Sequence, residues 1–456
     1  MITPPPPILL LPEEILVAIA AAGQDNNRHI LEWNSGNGFN VEWTLSHVCR
    51  QIRAAVIDAA TLWTIVDTEL CRRGWLEILG LYLERSRGCD LSATFRCNAD
   101  RSMPRTWLQL ALMLMRLLPQ LSRLFRLLPH LPRLSRLTLI GSTPTSLHML
   151  FSVFLNLAAM PNLQQLEIVL DSVDPQHQSR VILDAFCTTP PKLASLRTKG
   201  FIPYHPRQTL MASLTNLEVW RDEGLGSLPA DWFEELVSGC PLGRVSVPST
   251  WLSPTGHGRI RIPTLKSLHI SCRGREDGTD WLDSLPYFDA PALTDVTLDH
   301  THGAQICALF DPGNLPNVPF PALTSLSFLH HRCTCSEGWR GTNLSPPLNL
   351  FPALSSISLI NQCFTADVVR AMFNPASPRW SGLTNVTLVP RDAIEDVFSA
   401  LEDAVHSNLE RGQTLPKVTL SPALFDRQFW TENKVDVELF GPMDVIFESF
   451  PFNSCT

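Results

Sequence analysis

Pro291-Ala-Leu293-Thr-Asp-Val296-Thr-Leu298 is followed by Pro321-Ala-Leu323-Thr-Ser-Leu326-Ser-Phe328 and then by Pro352-Ala-Leu354-Ser-Ser-Ile357-Ser-Leu359. Each stretch opens on a proline, which cannot donate to a hydrogen-bonded ladder and suits a turn. Each closes on apolar residues two apart, the period of a half-buried strand. Read outward from these three, the pattern Pro-x-Leu-x-x-apolar-x-apolar recurs, in some copies without the proline or the last apolar residue. Its first leucines are Leu134, Leu163, Leu193, Leu214, Leu242, Leu265, Leu293, Leu323, Leu354, Leu383 and Leu415. Eleven copies at a mean interval of about 28 residues define an internal repeat, and a repeat of that length is one supersecondary unit stacked on its neighbours.

The intervals carry helical signals. Trp232, Phe233, Leu236 and Val237 lie at helical spacing behind Asp231, a residue suited to the N-cap. Ile394, Val397, Phe398, Leu401 and Val405 share one face between Asp392 and Gly412, and Arg180 to Cys187 and Ala366 to Phe373 read similarly. Parallel strands need crossovers of this length. The expected fold class is therefore α/β: parallel strands lining a concave inner side and helices on a convex outer one, with the motif leucines between the layers and the intervening residues facing out.

The front of the chain reads differently. Leu11-Pro12-Glu13-Glu14-Ile15-Leu16 is a helix start, with proline at the first position and two acids in the first turn. Leu11, Ile15, Leu16 and Ile19 give it an apolar face. The glycine- and asparagine-rich stretch from Gly23 to about Asn40 reads as a loop. A second helix is expected from about Leu45 through Val48, Cys49 and Ile52 to Val56, and a third short element from Leu62-Trp63 to near Val66. The stretch from Trp107 to Leu118 reads as a buried helix, too short and too interrupted to span a bilayer.

Leu11-Pro12-Glu-Glu-Ile15-Leu16, then Leu45-Ser-His-Val48-Cys49-Arg50, then Leu62-Trp63, resembles the F-box, most closely the large F-box-like group of fungi. Ile52 stands where that family usually carries a tryptophan, and the segment joining the first two helices is longer than in the simplest members. The resemblance implies a short all-α module docking on a Skp-type adaptor, and through it on a cullin. On that reading Leu11, Pro12, Ile15 and Leu16 face the adaptor, and Leu45, Val48, Cys49, Arg53, Leu62 and Trp63 complete or support the patch. The repeats resemble the leucine-rich repeat family, and their order after an F-box resembles F-box substrate receptors. The domain expectation is an F-box-like module over 1–70, a linker and capping segment over 71–130, and irregular leucine-rich repeats over 131–456. The implied function is substrate recognition in a Skp–cullin–F-box ubiquitin ligase, with an unidentified target protein on the repeats. The alternative is a repeat scaffold with no ubiquitin role.

Composition and motifs bound the rest. The chain is 45% hydrophobic and 18% charged, enough apolar residue for a large core. Its net charge of −8 is uneven: Arg101 to Leu166 holds seven arginines and no acid, and Arg391 to Thr456 holds twelve acids against five bases. The basic stretch is leucine-rich and lacks a recognition motif, so no nucleic-acid partner is expected. Twelve cysteines show no framework spacing and no secretory signal is visible, which suggests reduced thiols in the cytoplasm or nucleus, with no membrane partner. No phosphate-binding loop, nucleophile elbow, H-E-x-x-H or dinucleotide fingerprint occurs, so a non-catalytic protein without cofactor is expected. His330-His331-Arg332-Cys333-Thr334-Cys335 is the one dense cluster of metal-ligand types; its spacing is wrong for zinc, and it reads as a strand end and loop.

Overall fold

The computed structural model describes residues 11–33, 41–70, 74–97, 125–143, 146–147, 150, 160–170, 192–200, 212–220, 233, 237, 239–249, 260–272, 288–301, 320–329, 351–362, 366–373, 382–390, 394–412, 415–420 and 437–439. The chain divides into two compact units, one built on residues up to Leu193 and the other on Ala194–Val445.

The first unit opens with helices α1 (Glu13–Trp33), α2 (Val41–Leu45) and α3 (Arg50–Asp58) and a 3₁₀ turn over Ala60–Trp63. Strand β1 (Ile65–Glu69), helix α4 (Trp75–Arg85) and strand β2 (Leu91–Cys97) follow, then a 3₁₀ segment over Phe125–Arg133, β3 (Leu134–Gly141) and β4 (Gln165–Leu170). The four strands pair in parallel and in chain order. Three differences from the sequence reading stand out here. Helix α1 runs on to Trp33, into the stretch from Gly23 to about Asn40 that was read as a loop. The expected second helix, from about Leu45 to Val56, begins only at Arg50 as α3, capped by the extended backbone of Cys49 and by its sulfur, which accepts from the Ile52 N–H at 3.5 Å; α2 ends at Leu45, where that helix was expected to start. The segment read as linker and cap also holds α4 and β2. Strand β2 alternates strictly between buried and half-buried residues, so its period of two was present without the proline motif. The Trp107–Leu118 stretch lies outside the described residues.

The second unit carries β5 (Ser195–Lys199), β6 (Asn216–Trp220), β7 (Arg244–Pro248), β8 (Ile260–Arg261), β9 (Ser267–Ser271), β10 (Phe288–Asp289), β11 (Asp295–Asp299), β12 (Ser325–Leu329) and β13 (Ser356–Gln362). Helix α5 (Ala366–Met372), β14 (Asn385–Pro390), helix α6 (Ile394–Glu410), β15 (Lys417–Leu420) and β16 (Val437–Leu439) complete it. Apart from β8 and β10, which pair with each other, the strands form one parallel ladder in chain order.

Every one of the eleven motifs ends in a strand, and the apolar positions lie rung against rung. Leu268 pairs with Val296, Val296 with Leu326, Leu326 with Ile357, Ile357 with Val386, and Val386 with Val418. Two residues on, Ile270, Leu298, Phe328, Leu359, Leu388 and Leu420 do the same, and all six are buried. A one-residue slip would turn this whole set to the opposite face, so burial itself fixes the register.

Two local devices explain why the motif begins as it does. In each proline copy from Met160 onward for which the bond is resolved, the residue before proline is apolar and accepts a hydrogen bond from the motif leucine. Leu163 N–H donates to Met160, Leu265 to Ile262, Leu293 to Ala290, Leu323 to Phe320 and Leu354 to Phe351, at 3.0–3.2 Å. Proline thus occupies the second position of a β-turn, where its fixed φ is already correct. The residue before it is buried each time, an anchor the sequence pattern left out. The second device is a hydroxyl ladder. The Thr294 carbonyl accepts from the backbone N–H groups of Thr324 and Ser325, both at 2.9 Å, and from the Thr324 hydroxyl at 3.1 Å. The same three-donor arrangement recurs at Lys266, Thr324 and Ser355, supplied by Thr294, Ser355 and Thr384. These hydroxyls add a third donor to a carbonyl that already accepts two backbone N–H bonds, and so tie neighbouring rungs through side chains as well as backbone.

Helices α5 and α6 occupy two of the intervals read as helical. Val368, Val369 and Met372 of α5 and Val397, Leu401 and Val405 of α6 are buried. Phe233 and Val237 are helical and buried as well, whereas Arg180 to Cys187 lies outside the described residues.

Candidate protein-docking surface

In the first turn of α1 the Pro12 carbonyl accepts from the N–H groups of Ile15 and Leu16, at 3.1 and 3.2 Å. From there the helix shows two apolar stripes. Leu16 and Ala20, four apart, are buried, and Gln24 continues the same stripe inward. Ile15 and Ile19, also four apart, stand in solvent at 46% and 48% exposure. Leu11 is half-buried and Pro12 exposed. Leu16 was expected to face a partner; it lies in the interior instead, because the apolar face of α1 is wide enough to serve both the core and the surface.

The turn between α2 and α3 is tightly bonded. The Ser46 hydroxyl donates to the Trp43 carbonyl at 2.7 Å, His47 Nδ1 lies 2.8 Å from the same oxygen, and Arg53 Nε donates to the Ser46 carbonyl at 2.6 Å. Arg53 is therefore a brace for this turn as well as an exposed cation. The turn leaves Trp43 and Val48 exposed, Val48 the most exposed large apolar side chain among the described residues at 59%. Leu45 and Cys49 are half-buried.

Leu62 and Trp63 are fully buried and cannot contact a partner. Trp63 donates from Nε1 to the Val56 carbonyl at 2.8 Å, meets the Tyr82 ring edge-on at 5.1 Å, and carries the Arg85 guanidinium 4.3 Å over its face. They pack beneath the helices. Ile52, at the position where a tryptophan was anticipated from the resemblance, is also core.

Of the predicted patch, then, Pro12, Ile15, Val48 and Arg53 reach solvent, Leu11, Leu45 and Cys49 reach it in part, and Leu16, Leu62 and Trp63 do not. Ile19 and Trp43 belong with the exposed set. The helical period of Ile15 and Ile19 signalled the first; nothing in the sequence distinguished Trp43 from a core aromatic.

The other features singled out in the sequence turn out as follows. The His330–Cys335 cluster lies outside the described residues, and among the described residues no group of three His, Cys, Asp or Glu side chains is placed to hold a metal. No helix among them is long and apolar enough to cross a membrane. Arg133, from the basic stretch, is wired inward: its guanidinium donates to the Cys89 carbonyl at 2.7 and 2.9 Å and to the Ser86 hydroxyl at 2.8 Å. Burial pushes the Cys272 thiol far above its ordinary range and raises that of Cys240.

No family model matches the chain, and no curated protein does. Among solved structures it is similar to a Bacteroides fragilis protein from a structural-genomics programme, at 12% identity and a TM-score of 0.26, over 63% of this chain and 66% of that one. The chain thus spans just under two thirds of that protein, and a likeness at this level carries no argument about fold or function.

Proposed function

We propose that the chain is a substrate receptor of a Skp–cullin–F-box ubiquitin ligase. Helices α1 to α3 form an F-box-like module that docks on a Skp-type adaptor, and the strand ladder is a leucine-rich-repeat solenoid whose outward residues bind a target protein. The receptor performs no bond chemistry; it holds the target near a ubiquitin-charged partner and raises the local concentration. One observation carries the reading: Ile15, Ile19, Trp43 and Val48, apolar and solvent-exposed, lie on a helical front that runs into the parallel strands β1 to β4 of the same unit. Covering four such half-exposed side chains is worth roughly 3–6 kcal/mol before association costs.

The test is co-purification of the full chain with a Skp-type adaptor, for wild type and for Ile15→Asp and Val48→Asp. Wild type is expected to retain the adaptor and both variants to lose it. A wild-type chain that folds and does not retain the adaptor contradicts the proposal. That result favours the second reading, an interaction scaffold without a ubiquitin role, which Ile52 in place of the family's tryptophan supports.

A further inference from the structure

Beneath the exposed set runs a chain of buried polar contacts. Glu42, on α2, is 4% exposed and accepts from Gln24 Nε2 of α1 at 2.7 Å and from the Tyr82 hydroxyl of α4. The same Gln24 nitrogen donates to the Leu62 carbonyl at 2.8 Å. Burial pushes the Tyr82 hydroxyl well above the ordinary phenol range and the adjoining carboxylate adds to it, so it remains a donor at every physiological pH. Next to Glu42, Val41 lies close to Gly23 of α1, where an added Cβ would sit 3.1 Å from Val41 Cγ1.

These contacts converge on a helix of five residues. So short a helix has no stability of its own, and a buried carboxylate is tolerated only where its hydrogen bonds are met. The position of α2 is therefore set from outside, by α1 and by α4. Trp43 follows Glu42 directly, and the bonded turn that presents Val48 hangs from the Trp43 carbonyl. Helix α4 is the crossover between β1 and β2, so its hydroxyl ties the helical front to the first strand–helix–strand unit.

We infer that Tyr82 is a positioning residue for the docking face: through Glu42 it holds α2 in place, and the first strand–helix–strand unit is part of the docking machinery rather than the start of a separate array. This rests on the adaptor reading above.

The experiment uses the full chain and a Skp-type adaptor in titration calorimetry, together with amide hydrogen exchange of the free chain. Tyr82→Phe removes one hydroxyl and keeps the ring on Trp63. It is expected to weaken adaptor binding about tenfold and to speed exchange over residues 41–49 while leaving the amides of α3 from 53 to 58 unchanged. The double variant Tyr82→Phe with Glu42→Gln also lacks the tie between α4 and α2 and is expected to bind no better than Tyr82→Phe alone; recovery of wild-type affinity would mean that the buried charge, and not positioning by Tyr82, sets the loss. Val418→Ala, in the second unit, lowers stability and is expected to leave adaptor affinity as it was, which separates positioning from general destabilisation. If Tyr82→Phe binds as tightly as wild type while Ile15→Asp does not bind, the positioning role is wrong and the adaptor reading stands. If folded wild type does not bind the adaptor, both are wrong.

Discussion

The helical front and the strand ladder use apolar residues in opposite ways. In the ladder each motif residue has one address: Leu326, Phe328, Ile357 and Leu359 are all buried, and each meets its counterpart on the next rung. In the front, neighbours on one helix part company, Leu16 going inside and Ile15 outside. The ladder is complete in itself, whereas the front keeps apolar surface in reserve. Repetition makes the address of a residue readable, because any one copy is checked by the others. A single-copy module has no such check, and there burial and docking look alike in the sequence.

That contrast can be broken or sharpened by substitution. The largest effect is expected in the ladder. Phe328→Ala leaves a cavity at a fully buried rung and should destabilise by about 3–5 kcal/mol in denaturant unfolding; a loss below about 1 kcal/mol would mean the rung is not close-packed. In the front, Leu16→Asp should cost several kcal/mol, because it buries an unpaired charge, while Ile15→Asp one residue away should change stability by less than about 0.5 kcal/mol. Equal losses at the two positions would erase the division of α1 into two stripes.

Smaller effects probe how each region is tied together. Gly80 of α4 has nothing within 4 Å of an added Cβ, so Gly80→Ala should stabilise by up to about 1 kcal/mol through helix propensity. Gly23→Ala enjoys the same propensity gain but pushes against Val41, so it should gain less or lose. Thr324→Val removes the third donor on the Thr294 carbonyl and keeps the two backbone bonds, for a loss of about 0.5–1 kcal/mol.

A pH effect is expected in the second unit. His269 packs edge-on to Trp220 at 5.9 Å, with Nδ1 2.9 Å from the Ser246 hydroxyl. Burial lowers its pKa below the ordinary 6.5; Asp299 and Glu218 pull it back up, while Arg244 and His300 add to the lowering. The unfolded chain therefore binds this proton more readily than the folded one. The histidine's contribution is present above pH 6.5 and is lost as the pH falls through 6.5 towards the folded value. Unfolding of His269→Gln, measured from pH 7.5 to 5, should show a shallower decline than wild type; parallel curves would show that His269 does not titrate in this range.

The sequence announced most of the ladder and less of the front. Eleven leucine motifs, eight of them opening on proline, located eleven strands, because a turn, a buried leucine and a period-two strand follow from local chemistry. Strands β1 and β2 were missed, since neither follows a copy of the motif, as were the two-residue β8 and β10 and, after the last motif, β16. The length of α1 was missed for a tertiary reason. Gly23 and Gln24 look like loop residues by propensity, but the glycine makes room for Val41 and the glutamine reaches Glu42 and Leu62, contacts invisible until the helices meet. Trp63 and Trp43 are the same residue type twenty positions apart; one is the floor of the module and the other is on its surface. Only packing tells them apart.

The register of the ladder is the claim on which the rest depends, and crosslinking tests it most directly. Ser327 and Ser358 are register partners on the outward side of β12 and β13. Adjacent parallel strands lie about 4.8 Å apart, within disulfide reach. Ser327→Cys combined with Ser358→Cys should form a disulfide under mild oxidation, identified by peptide mapping. Ser327→Cys combined with Ser356→Cys places the pair about 8 Å apart, out of reach, and should not. Crosslinking of the second pair, or of neither, would contradict the in-register stack.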